Sequence, residues 1–279
     1  MTILLALASA LVYGTADFLG GLASRRAAAL AVTFVSQCAG LASLLVVFPF
    51  AHGQGLNGAD LAWGAAGGMA GALALVCFYW ALAAGTMSVV APLTAVVSAV
   101  VPVITGLALG ERPSAWSLAG VVLALPAIAL IAHERGPVRA RVTRLVLGAA
   151  VAAGLGFGFF FVALAKTSGD SGMWPLLGAR VASVSLLALA LVVTRRAPRL
   201  PTEVRPMTLV AGVFDTSANA LYLAAASRGL LSLVSVIAAL YPASTVVLAR
   251  VVLGERVQRW QFGGFVLAAL AVGLVAATS

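Results

Sequence analysis

The sequence predicts an all-α integral membrane protein: ten transmembrane helices arranged as two inverted five-helix repeats. Three observations carry this expectation. Of the 279 residues, 62% are hydrophobic and only 9% charged, too little polar surface to clothe a soluble domain of this length. The apolar residues gather in runs of about twenty, the length that crosses a bilayer as a helix. One charged phrase is written twice, LGERPSAWSLAGVVLA at 109–124 and LGERVQRWQFGGFVLA at 253–268, identical at nine of sixteen positions at an offset of 144.

The spans follow in order. Span 1, 2–22, has no basic n-region and is too long for a signal h-region, so it reads as a retained helix. SRR ends it, span 2 covers 29–50, and HGQGLNG separates that from span 3 at 61–83. Span 4, 88–109, carries Pro92 and Pro102, and GERP leads to span 5 at 115–132 with Pro126. These prolines, with Pro242, are candidate flexing points. The basic stretch HERGPVRARVTR precedes span 6 at 145–165, TSGDSG precedes span 7 at 173–194, and RRAPRLPTEVRP precedes span 8 at 207–227. SRG opens span 9, 231–253, and GERVQR joins it to span 10, 260–278.

The offset of 144 maps span 1 on span 6 and so on to span 5 on span 10. The units are therefore a first repeat at 1–133, a basic linker at 134–144 and a second repeat at 145–279. Five is an odd number of crossings, so the second repeat enters from the opposite face. Inverted repeats of this kind are the architecture of many secondary transporters, with the substrate site near the midplane. In the GER hairpins, Gly110 and Gly254 suit helix C-caps, Glu111 and Glu255 suit the N-terminal dipole of the following helix, and Pro113 suits its first turn. Odd-numbered loops carry twelve basic residues and even-numbered loops three, Arg112, Lys166 and Arg228. That places odd loops in the cytoplasm and both termini outside, in a bacterial-type plasma (inner) membrane.

Other classes lose ground. The net charge of +9 sits in short loops without aromatic-basic platforms, so no nucleic acid is expected. Cys38 and Cys77 lie inside apolar runs and form no disulfide framework. His52 and His133 stand at span ends with no Cys/His/Asp cluster, so no catalytic residue, metal or cofactor is assigned and an enzyme is not expected.

Charges within spans are costly and mark functional positions. Asp215 lies near the centre of span 8, Arg180 in span 7 and Asp17 in span 1. Asp17 and Asp215 are the proton-coupling candidates, and Arg180 suits an anionic group of a substrate or neutralises Asp215. Their repeat partners are Phe161, Gly71 and Ser36. The scaffold is duplicated while the charges are not. Asn219 and Tyr222 follow Asp215 on one helix face, and Arg180, Tyr241, Tyr13, Gln37, Tyr79 and Trp80 complete the candidate substrate wall. For Tyr79 and Tyr222, the interfacial aromatic belt is the competing assignment.

Two segments, VVAPLTAVVSAVVPVITGLALGERPSAWSLAGVVLAL and VIAALYPASTVVLARVVLGERVQRWQFGGFVLAAL, resemble the drug/metabolite transporter (DMT) superfamily, and within it the EamA-type ten-helix transporters. The resemblance covers essentially the whole chain. It implies a permease or exporter of small organic molecules working by alternating access around a central cavity. Many bacterial members keep both termini in the cytoplasm, opposite to the arginine tally here. The expected function is thus a secondary transporter of a metabolite, amino acid or drug, proton-linked and efflux-directed, as a monomer or homodimer in the lipid bilayer. The alternatives are an uncoupled facilitator or a non-transporting membrane subunit.

Overall fold

The computed structural model describes residues 1–51, 53, 55, 57–84, 87–131, 143–253 and 259–277, except the side chains of 51, 87–89, 92, 249, 250 and 253. His52, His133, Gly254, Glu255, Arg256 and nearly all of the 134–144 linker lie outside the described residues. The described chain is helical, with eight helical segments long and apolar enough to cross a membrane and two shorter apolar ones, Leu93–Ala108 and Ala115–Ile131. The protein is an all-α integral membrane protein. Large side chains such as Leu4, Val46, Val192 and Phe262 stand exposed around it, as a lipid-facing surface requires.

The helices are α1 (Thr2–Ser24), α2 (Ala29–Ala51), α3 (Gly58–Ala84), α4 (Met87–Ala108), α5 (Ala115–Ile131) and α6 (Arg144–Ala165). They continue with α7 (Trp174–Val193), α8 (Arg205–Ala226), α9 (Leu231–Ala238), α10 (Pro242–Leu253) and α11 (Arg259–Ala276). Nine expected spans correspond to single helices. The ninth is broken into α9 and α10 at residues 239–241, immediately before Pro242, which supplies no amide hydrogen to continue the ladder. Its repeat partner α4 passes unbroken through Pro102.

The packing repeats at the same offset as the sequence. Gly68 of α3 lets α7 approach so closely that an added Cβ would lie 2.2 Å from the Ala179 carbonyl oxygen. Gly212 of α8, 144 positions later, admits α2 in the same way, at 1.9 Å from the Ser36 oxygen. Glycine at these positions permits backbone contact that any side chain would block. Gly120 of α5 lies against Val275 of α11, and Gly264 of α11 against Ile131 of α5. These two contacts exchange under the offset, and they show that α5 and α11 run antiparallel.

The first GER hairpin departs from expectation. Gly110 does end α4, with φ +93° in the left-handed region. Glu111, however, does not face the start of α5. Its carboxylate accepts the Leu231 and Ser232 amides at 2.6 and 3.0 Å and so caps α9 in the other half. The α5 cap is Ser114, which accepts the Ser117 amide at 3.0 Å, and Pro113 precedes that cap instead of lying in the first turn. Sequence adjacency suggested the nearest helix start; tertiary packing brings another one closer.

Candidate functional site

Between α1, α2, α7 and α8 the buried polar groups form one connected network. Arg180 of α7 is its centre. One guanidinium nitrogen donates to Asp215 Oδ2 at 2.6 Å, and the other to Gln37 Oε1 at 2.5 Å. Gln37 Oε1 also accepts the Ser183 hydroxyl at 2.9 Å, while its Nε2 donates to Asp215 at 3.4 Å. Asn219, one turn beyond Asp215, donates to the same carboxylate at 3.4 Å and accepts the Tyr13 hydroxyl. A cation in this setting is tolerated because its charge is matched and both terminal nitrogens donate to buried acceptors. Gly40 makes room for it: a Cβ there would press on Thr216 and lie 3.4 Å from the guanidinium carbon.

This network forms one side of a cavity lined by Tyr13, Asp17, Gln37, Arg180, Asp215, Asn219 and Tyr241, with Phe157, Phe160 and Phe161 as its main apolar surface. The space open to the centre of a water molecule is about 60 Å³, room for roughly four waters. It is a narrow chamber. Two lining groups are unsatisfied. Asp17 has no hydrogen-bond or ion-pair partner among the described residues. The Tyr241 hydroxyl, on a side chain only 6% exposed, is likewise unpartnered. Tyr241 sits in the break between α9 and α10, where backbone geometry is irregular, as in the broken helices that form transporter sites.

Three expected wall residues are placed elsewhere. Tyr222 is fully buried, stacked on Phe161 with centroids 4.5 Å apart; its hydroxyl donates to the Phe161 carbonyl at 3.1 Å and lies 2.7 Å from the Ser235 hydroxyl. It supports a cavity residue from behind. Tyr79 is buried with its hydroxyl against Gly20 of α1. Both being buried, neither belongs to an interfacial belt. Trp80 is 39% exposed on the outer surface, away from the cavity. Among residues without a role assigned from sequence, Ser183 enters the network and Ser98, Phe157, Phe160 and Phe161 line the chamber. Ser183 was recoverable, being three residues after Arg180 and thus on its face. The phenylalanines were visible only as an undifferentiated aromatic run.

A multi-pass helical membrane protein with charged and polar side chains gathered in a chamber between its halves has the form of a transporter. The comparisons give the family. The EamA-like transporter family model matches residues 1–133 and 144–277. The chain belongs to that family, within the drug/metabolite transporter superfamily, whose EamA members are transporters and not enzymes. A solved structure, titled only "Crystal structure of protein", shares the fold with a TM-score of 0.77 over 100% of this chain and 99% of the other, at 17% identity. Curated proteins yield no match.

Proposed function

We propose that the protein is a proton-linked secondary exporter of small organic molecules, a metabolite, amino acid or drug, working by alternating access around the chamber between its two repeats. The observation that carries the reading is the chamber's unequal charge. Arg180 and Asp215 neutralise each other, while Asp17 faces the same space unpaired. A carboxylate without a fixed cation, held in a narrow cavity in the membrane, is suited to bind and release a proton. Asp215, Asn219, Arg180, Gln37, Tyr13 and Tyr241 supply the polar contacts for substrate, and Tyr241 stands at the helix break where one half can flex. The antiparallel pairing of α5 and α11 supports inverted repeats, divided at the 134–144 linker. The arginine tally supports cytoplasmic odd loops in a bacterial inner membrane.

Reconstitution into liposomes tests this. Flux of amino acids, sugars and cationic dyes is followed with and without an imposed pH gradient. Gradient-driven accumulation that Asp17→Asn abolishes, leaving substrate exchange intact, is the expected result. Flux indifferent to the gradient makes the protein a facilitator. Absence of flux for every substrate class returns the non-transporting reading.

A further inference from the structure

A second cavity, far larger, opens at the end of the bundle that bears the even-numbered loops. It offers about 770 Å³. Helix α9 forms its floor through Leu233, Val234 and Ile237, with Ile3 and Ala6 of α1 on one wall and Ser117 of α5 and Val275 of α11 on the other. Arg112 and Arg228 stand at its rim with Ser114 and Ser227. The apolar floor runs from the N-cap Leu230 to Ile237 of α9, seven helical steps or about 10 Å. The cavity is amphipathic end to end, cationic at the mouth and aliphatic within.

The two arginines are unexpected. Even loops carry only three basic residues in the whole chain, Arg112, Lys166 and Arg228, and two of those three converge on this one groove. Neither has an acidic partner among the described residues. Arg228 gives one nitrogen to the Ala224 carbonyl at 2.6 Å, leaving the rest of its guanidinium free. The nearby carboxylate of Glu111 is turned onto the α9 amides instead. Duplication does not account for the pair either, because Ala84 occupies the position that matches Arg228.

We propose that this groove is a binding site for an anionic phospholipid, its phosphodiester held between Arg112 and Arg228 and one acyl chain lying along α9. Guanidinium groups match phosphate oxygens in geometry and charge, and a basic mouth over an aliphatic floor matches the headgroup and acyl chain of a single lipid. The aliphatic floor selects a lipid over a soluble phosphate. The site lies apart from the central chamber and does not depend on the transport reading.

The test uses the detergent-solubilised full chain. Thermal stabilisation is titrated with short-chain phosphatidylglycerol, phosphatidylcholine of equal chain length and glycerol 1-phosphate. Phosphatidylglycerol is expected to act at least five-fold more potently than phosphatidylcholine, and glycerol 1-phosphate not at all. R112Q/R228Q is expected to erase the difference, and Lys166→Gln to retain it. Equal potency of the two lipids, a preference surviving in R112Q/R228Q, or stabilisation by glycerol 1-phosphate alone overturns the proposal. A photoactivatable phosphatidylglycerol on the unmutated chain gives a reading independent of the variants' folding. Label within 2–6, 112–117 and 227–237 supports the site, and label confined to other segments overturns it.

Discussion

Arg180 and Asp215 meet at 2.6 Å across two helices, with side chains 5% and 22% exposed. The cation is the more deeply buried partner, and it depends on the carboxylate more than the reverse. Asp215→Ala leaves that cation unmatched, a loss of about 3 kcal/mol or more. Removing both charges with R180Q/D215N is expected to cost less than the two single changes added together, because neither ion is then left alone. Thermal unfolding of the four proteins in detergent measures this. Simple additivity would mean that solvent, not Asp215, satisfies Arg180.

Glu111 is expected to act on α9 and not on its own hairpin. Glu111→Ala removes the acceptor of two orphan amides and a charge suited to the helix dipole, together about 1–2 kcal/mol. Hydrogen exchange localises the effect: protection should fall at Leu231–Val234 and stay unchanged at the start of α5. Loss at Ala115–Leu118 instead would restore the assignment that sequence adjacency suggested.

Glycine in these helices serves close approach at some positions and nothing visible at others. A Cβ at Gly14 would lie 1.9 Å from Ser244 Oγ and 2.2 Å from the Tyr241 carbonyl, directly on the α9–α10 break. Gly14→Ala should cost about 2–3 kcal/mol through overpacking. Gly148 of α6 meets nothing within 4 Å, and Gly148→Ala should gain about 0.5–1 kcal/mol from helix propensity. Opposite shifts in melting temperature are expected, and equal shifts of one sign would contradict the packing described.

Where the sequence was informative, a periodic physical signal existed. Span 6 was expected at 145–165 and α6 is Arg144–Ala165, because the hydropathy window and the spanning length are the same quantity. The face of α8 was legible in the same way, since Asp215, Asn219 and Tyr222 do share one side. Depth was not. Tyr222 lies seven residues past Asp215, about 10 Å along the axis, beyond the chamber and behind Phe161. The break in α9–α10 was only half legible. Pro242 marks it, but Pro102 produces none, and at the break Gly14 of α1 lies close against the Tyr241 carbonyl. Such contacts join residues more than two hundred positions apart and leave no local trace.

The tyrosines provide the sharpest separation of scaffold from site. Tyr222 has its hydroxyl satisfied by Phe161 and Ser235, so Tyr222→Phe leaves the Phe161 carbonyl and the Ser235 hydroxyl without that partner in a dry interior. A loss of about 1–2 kcal/mol is expected, with substrate affinity little changed. Tyr241 presents an equally buried hydroxyl that no described group accepts from or donates to. Tyr241→Phe therefore removes no protein hydrogen bond, and stability should hold or rise slightly. If the hydroxyl waits for substrate, the same change should weaken binding about five- to ten-fold, the worth of one hydrogen bond made only in the complex. Melting temperature and ligand titration on both variants decide the matter together. Should Tyr241→Phe lower stability and leave binding alone, the hydroxyl is structural, and the polar wall of the chamber reduces to the groups gathered around Arg180.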